Sequence, residues 1–124
     1  MCSTMGRAAV IALGGLWLIF GSACSNSPDA QSTCDAYARV FADVAANTCK
    51  RGTFDSNLAA FKASARVGSD CQLVQSIRDQ PALENECYPW LRDQLPQDCS
   101  LLDSPDRYVE ALPDACKGQL ELVP

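Results

Sequence analysis

Apolar side chains recur at helical intervals through most of this chain. The clearest run is Cys34, Tyr37, Ala38, Phe41, Val44, Ala45 and Cys49, which share one helical stripe, with Asp35, Arg39, Asp43 and Asn47 opposite. Ser32 or Thr33 fits its N-cap, Lys50 and Arg51 complement its negative end, and Gly52 suits the position after its C-cap. A second helix follows, with Asp55 as N-cap, Phe54 stapled onto Ala59, the stripe Leu58, Phe61 and Ala65, and Gly68 as stop. Asp70 then caps a short third helix carrying Leu73, Val74 and Ile77, which Pro81 ends or redirects. Cys87, Trp90, Leu91 and Leu95 keep the same spacing. Proline is costly in a helix interior, so this helix is expected to begin at Cys87–Pro89 and to stop at Pro96. Ser104-Pro105-Asp106 opens the last helix, with Tyr108, Val109 and Leu112 facing inward and Pro113 at its end. No stretch alternates apolar and polar residues long enough to predict a strand. The expected class is all-α, with four or five short helices.

Ahead of these elements, Arg7 is the only charge before Asp29, and Ala8 through Phe20 carry no polar side chain. That length fits the apolar region of an export signal and falls short of the ~20 apolar residues of a membrane-spanning helix. Gly21-Ser22-Ala23-Cys24 comes next. It resembles a bacterial lipobox. The resemblance implies that the Cys24 thiol is diacylated, that the leader is cut just before it, and that the new amino group takes a further chain such as palmitate. Gly21 and Ala23 also satisfy the small-x-small rule of ordinary cleavage.

Cysteine parity separates the two readings. The chain has eight cysteines. With Cys2 lost in the leader, or with Met5 rather than Met1 as the true start, and Cys24 lipidated, an even set remains: Cys34, Cys49, Cys71, Cys87, Cys99 and Cys116. If Cys24 stayed a thiol, one cysteine would be left unpaired in an oxidising compartment. Stable anchoring takes two acyl signals, so a lipobox product stays on its membrane. Ser25 replaces the Asp that retains such lipoproteins at the inner membrane, which points to the outer membrane if the host has one. Ser25 through Ser32 are small and polar with Pro28 among them, and read as a flexible tether. The organisation is thus a lipoprotein signal peptide over 1–23, lipidated Cys24 and tether over 24–32, and a disulfide-rich helical domain over 33–124.

No two of the six cysteines are spaced C-x-x-C, which disfavours a redox pair or a zinc knuckle. Six cysteines admit fifteen pairings. Antiparallel first and second helices would bring Cys34 to Cys71. Cys99 and Cys116 flank the last helix, and Cys49–Cys87 would then remain. Three such bonds hold the domain together, because short, alanine-rich helices bury little area. The arrangement is similar to small helical six-cysteine lipoproteins of bacteria. The similarity rests on the lipobox, on Cys34-x-x-Tyr37 opening the first helix and on Leu112-Pro113-Asp114-Ala115-Cys116. It implies a stapled helical fold on the cell envelope and no particular activity.

Ten Lys and Arg against fifteen Asp and Glu give a net charge of −5, which disfavours nucleic acid as a partner. The chain has no histidine, so Ser-His and Cys-His catalysis and imidazole metal sites are excluded. There is no Ser-x-x-Lys, Gly-x-Ser-x-Gly or phosphate-binding glycine loop. A carboxylate pair such as Glu84 with Glu86 or Asp93 is the remaining catalytic constellation. The acidic run Asp93, Asp98, Asp103, Asp106, Glu110 and Asp114, opposed by Arg107, reads as a solvated face. Tyr88, Pro89 and Trp90 form the candidate binding patch, against the plainer reading that Trp90 anchors the core and Pro89 starts a helix. The expectation is a non-enzymatic envelope lipoprotein without cofactor or metal. It would be held to the membrane through Cys24, in a structural or protein- or glycan-binding role. The alternative is an inhibitor of a secreted hydrolase.

Overall fold

The computed structural model describes residues 28–124. The leader, the cleavage point, Cys24 and residues 25–27 lie outside the described residues. Helix α1 runs over Pro28–Asp43 and continues through a π-helical turn, Val44–Thr48. Residues 28–32, expected in the tether, are therefore its first turns. Ala30 explains this, because it is buried against Cys34, Val67, Cys71 and Val74 and so has packing to hold it helical. The predicted stripe holds, with Cys34, Tyr37, Ala38, Val44, Ala45 and Cys49 all buried. The run ends at Cys49, and Lys50 rather than Gly52 takes the left-handed position after it, at φ 58°.

Helix α2, Phe54–Ala65, is capped by Thr53 and not by Asp55. The Thr53 side chain accepts from the Ser56 amide and the Ser56 hydroxyl accepts from the Thr53 amide, each at about 3 Å, a reciprocal capping box. Phe54 is thus the first helical residue, with the Arg39 guanidinium over its ring at 5.9 Å. The helix stops at Arg66, whose φ of 60° takes the role expected of Gly68.

The expected third helix is a strand, β1, over Val74–Ile77, and its antiparallel partner β2 covers Leu120–Leu122. The register pairs Val74 with Leu122 and Ile77 with Leu120, with an irregularity between Val74 and Ser76. The class is therefore mainly helical with a small two-stranded sheet. Turning tightly through Gly68 and Cys71, both at positive φ, breaks the helical path, and the β-branched Val74 and Ile77 suit the extended one.

Pro81 does not end a helix. It sits in the first turn of α3, Gln80–Ala82, where Asp79 caps the Ala82 amide at 3.2 Å. From there helical backbone continues through the π-helical turn Leu83–Cys87, Tyr88 and Pro89, a second π-helical turn Trp90–Gln94, and 3-10 turns over Leu95–Asp103 with a kink at Asp98. Pro89 is thus interior, not initial, and Pro96 does not stop the path. The wide turns either side reroute the backbone hydrogen bonds past the missing proline N–H, with Tyr88 donating to Leu83 and Leu95 donating to Trp90. Helix α4 spans Pro105–Ala111, behind Ser104 as predicted. Its Val109 is 56% exposed, contrary to expectation. A 3-10 turn, Asp114–Cys116, leads into β2.

All six cysteines are oxidised, as Cys34–Cys71, Cys49–Cys99 and Cys87–Cys116. The first pair is the expected one, while Cys99–Cys116 and Cys49–Cys87 are not formed. Packing of the Val44–Thr48 turn on Leu95–Asp103 brings Cys49 to Cys99, with Cα atoms 5.6 Å apart. The chain leaving α4 returns onto Leu83–Cys87, so Cys116 meets Cys87 at 4.9 Å. Two clusters form the interior. Tyr37, Val44, Leu83, Tyr88, Leu91 and Leu95 build the main one. A smaller one holds Ala30, Cys34, Val67, Cys71 and Val74. Among the described residues no helix is long and apolar enough to cross a membrane.

Candidate functional site

The candidate patch does not form one exposed corner. Tyr88 is buried in the main cluster, Trp90 is half-buried with its ring edge-on to Tyr108 at 6.3 Å, and Pro89 alone is exposed. Helical backbone across Pro89 sends its two aromatic neighbours inward. The Tyr88 hydroxyl is buried without a hydrogen-bond partner among the described residues. Its pKa is pushed up to about 12, first by burial and then by the charge of Glu84.

The aromatic side chains instead converge within the main cluster, where Tyr37 lies 6.0 Å from Tyr88. Tyr37 meets Phe61 edge-on at 5.0 Å, and Phe41 lies 5.5 Å from Phe61 and 5.9 Å from Tyr108. These rings come from α1, α2 and α4, and they floor an open cleft of about 510 Å³. Leu101, Leu102 and Leu112 extend its apolar wall, and the Gly118–Leu120 segment closes one end. The size is that of pockets which take small organic ligands or a few side chains.

Polar groups gather at the cleft rim. The Arg51 guanidinium forks onto Asp103, Nε donating to Oδ1 at 2.9 Å and Nη2 to Oδ2 at 3.0 Å, while Nη1 donates to the Cys49 carbonyl at 3.0 Å. Hydrogen bonding from Arg51 holds the Asp103 carboxyl below the ordinary carboxylate range. Asn57 Nδ2 donates to the carbonyls of Arg51 at 2.6 Å and Thr53 at 2.8 Å, which fixes the turn between α1 and α2. The Tyr37 hydroxyl donates to the Cys116 carbonyl at 3.1 Å. Burial, with Tyr88 nearby, pushes its pKa up to about 12, and burial raises that of Tyr108 further. Both phenols are therefore neutral hydrogen-bonding groups at physiological pH. An apolar, ring-lined floor with planar amide, carboxylate and guanidinium groups at its edge suits stacking on a flat or apolar face with hydrogen bonds at its border.

Two features position the cleft. Gln119 is buried and spans the gap behind it, Nε2 donating to the Ala115 carbonyl and Oε1 accepting from the Asp79 amide, both at 2.8 Å. Arg78 gathers the carbonyls of Asp114, Lys117 and Gly118. Together they fix the Asp114–Leu120 return that forms the cleft's end.

Glu84, Glu86 and Asp93 are exposed, and Glu84 accepts from Gln80 at 2.9 Å. None of them lines the cleft, where Asp103 is the single carboxylate. Within the acidic run, Asp98 pairs with Arg107 at 3.3 Å and Asp103 with Arg51, so the run has a second opposing cation that lies outside it in sequence. Among the described residues no group of three or more Cys, Asp or Glu side chains gathers as a metal site requires. Nothing in the local sequence marks Arg51, at a helix end, and Asp103, in the acidic run, as a pair. Arg51 lies two positions after Cys49 and Asp103 four after Cys99, so the Cys49–Cys99 bond is what brings them together. The chain matches no protein-family model, no curated protein and no solved structure.

Proposed function

We propose that this chain is a lipid-anchored cell-envelope protein whose disulfide-braced domain binds a protein or glycan in the cleft between α1, α2 and α4. The observation that carries the reading is the sulfur pairing. Each of the six cysteines beyond residue 33 is bonded to another of the six, so none of them is a partner for Cys24. This is the parity that a Cys24 committed to acyl chains calls for, and disulfides belong to an oxidising compartment outside the cytoplasm. The ring-floored cleft favours binding over a hydrolase-inhibitor role, which calls for an exposed rigid loop between staples.

Two experiments test the halves of this reading. In a bacterial host that processes lipoproteins, the wild type is expected in the membrane fraction and Cys24→Ala in the soluble extracytoplasmic fraction. Equal partitioning of the two would contradict the anchor. Titration of the isotope-labelled protein with soluble envelope glycan fragments and with apolar peptides should shift the NMR signals of Asn57, Phe61 and Tyr108. Shifts confined to other surfaces would contradict the cleft.

A further inference from the structure

Three of the four large hydrophobic residues that stand exposed among the described residues lie together at one end of the domain. Leu73 is 43% exposed, and Leu122 and Val123 are 39% each. The Val123 amide donates to the Leu73 carbonyl at 2.9 Å, and Leu122 pairs with Val74, so the three surround the open end of the β1–β2 sheet. A shallow groove along α2 adjoins Leu73, lined by Leu58, Ala59 and Ala63 with Asp55, Lys62 and Arg66 beside them.

This end is also where α1 begins. Ala30 and Cys34 pack on Cys71 and Val74, the Cys34–Cys71 bond ties the two segments, and Gln31 Nε2 reaches the Gln72 carbonyl at 3.5 Å. Helix α1 starts at Pro28, so four peptide steps separate it from Cys24. Four steps span at most about 14 Å. An acyl group on Cys24 therefore keeps this end of the domain within about 14 Å of the bilayer surface.

We propose that Leu73, Leu122 and Val123 dock onto the lipid surface, so that the anchored domain has a fixed orientation. The inference rests on the lipid-anchor reading and adds a second contact to it. Apolar side chains at headgroup depth add affinity to an acyl anchor, and a clustered exposed apolar edge is otherwise a liability. Helix α1 is 16 residues long, about 24 Å, and its far end leads to Cys49 and Arg51. Docking through Leu73 and Val123 therefore turns the Arg51–Asp103 rim of the cleft outward, away from the membrane.

The test uses the full-length protein, processed in its host, purified and reconstituted into phosphatidylcholine vesicles carrying brominated acyl chains. A tryptophan is placed at Val123 (V123W), with Leu73→Trp as a second position, and at the exposed Val109 on α4 (V109W) as control. The bromolipid should quench V123W and L73W well beyond the Trp90 background of the wild type, and V109W no more than that background. Equal quenching of V123W and V109W in a protein whose mass shows the acyl chains would overturn the docking and leave the anchor intact. A mass without acyl chains would overturn both. A V123W emission that shifts to the blue with protein concentration in the absence of vesicles would assign the edge to a second copy of the chain and overturn the lipid contact.

Discussion

The two packing clusters of this domain are held by different means. The main one joins Tyr37, Tyr88 and the fully buried Leu83, Leu91 and Leu95, a large apolar set to which the disulfides Cys49–Cys99 and Cys87–Cys116 add buried sulfur at Cys49, Cys87 and Cys116. The smaller one consists of Ala30, Val67, Val74 and the Cys34–Cys71 bond itself. It is approached through three residues at positive φ, Arg66, Gly68 and Cys71, and it supports strands of only four and three residues. Where apolar volume is large, cross-links fix which segments meet. Where it is small, the cross-link is a main part of the packing, and the region opens without it.

The sharpest way to break this contrast is to remove Cys34–Cys71. The bond closes a separation of 37 residues, for which chain entropy assigns about 4 kcal/mol. The C34A/C71A double variant should lose that much in denaturant unfolding. Its hydrogen-exchange protection should vanish over Val74–Ile77 and Leu120–Leu122 while Leu83–Leu95 amides stay protected. Simultaneous loss in both regions would show one cooperative unit instead. Leu91→Ala should cost about 3 kcal/mol and lower the protection of the whole domain, since a buried leucine loses both transfer energy and packing.

Alkaline pH probes the main cluster without mutation. Tyr37 has its folded pKa raised from 10 to about 12, so the native state holds the phenol proton more tightly than the unfolded chain. The resulting stability is fully present below pH 10 and lost as pH rises towards 12, by on the order of 2 to 3 kcal/mol. Tyrosinate absorbance should therefore stay low near pH 10 and rise towards pH 12 as stability falls, and ionisation of Tyr37 near pH 10 with the circular dichroism unchanged would contradict the burial. The smallest effects separate two neighbouring tyrosines. Tyr37→Phe leaves the Cys116 carbonyl without its donor and should cost about 1 kcal/mol. Tyr88→Phe removes an unpaired buried hydroxyl and should be neutral or stabilising by up to about 1 kcal/mol. A destabilised Y88F in thermal unfolding would show that this hydroxyl finds a partner.

How much of this was legible follows the range of the forces involved. The stripe of α1, the last helix behind Ser104 and the Cys34–Cys71 bond depend on local periodicity and on one helix–helix neighbourhood, and a sequence shows those. Strand β1 depends on a partner some 45 residues away, as the Ser76–Glu121 hydrogen bond marks, and neither strand is long enough to alternate visibly. The helical path through Pro89 depends on π-helical turns that have no compositional sign. The Cys49–Cys99 bond, and with it the Arg51–Asp103 pair across 52 residues, depends on how the segment kinked at Asp98 packs on the Val44–Thr48 turn, and Cys87–Cys116 depends on the return of the chain after α4. The cleft is a product of those long-range choices, so its residues stood out in no single segment.

Mass spectrometry of the protein purified from native membranes without reduction reads the disposition of its sulfur directly. The expected result is an intact chain beginning at Cys24 with three acyl groups and six hydrogens fewer than its reduced form, and disulfide-linked peptides joining Cys34 to Cys71, Cys49 to Cys99 and Cys87 to Cys116. A mass that retains the leader, or a peptide joining Cys24 to any of the six, would contradict it.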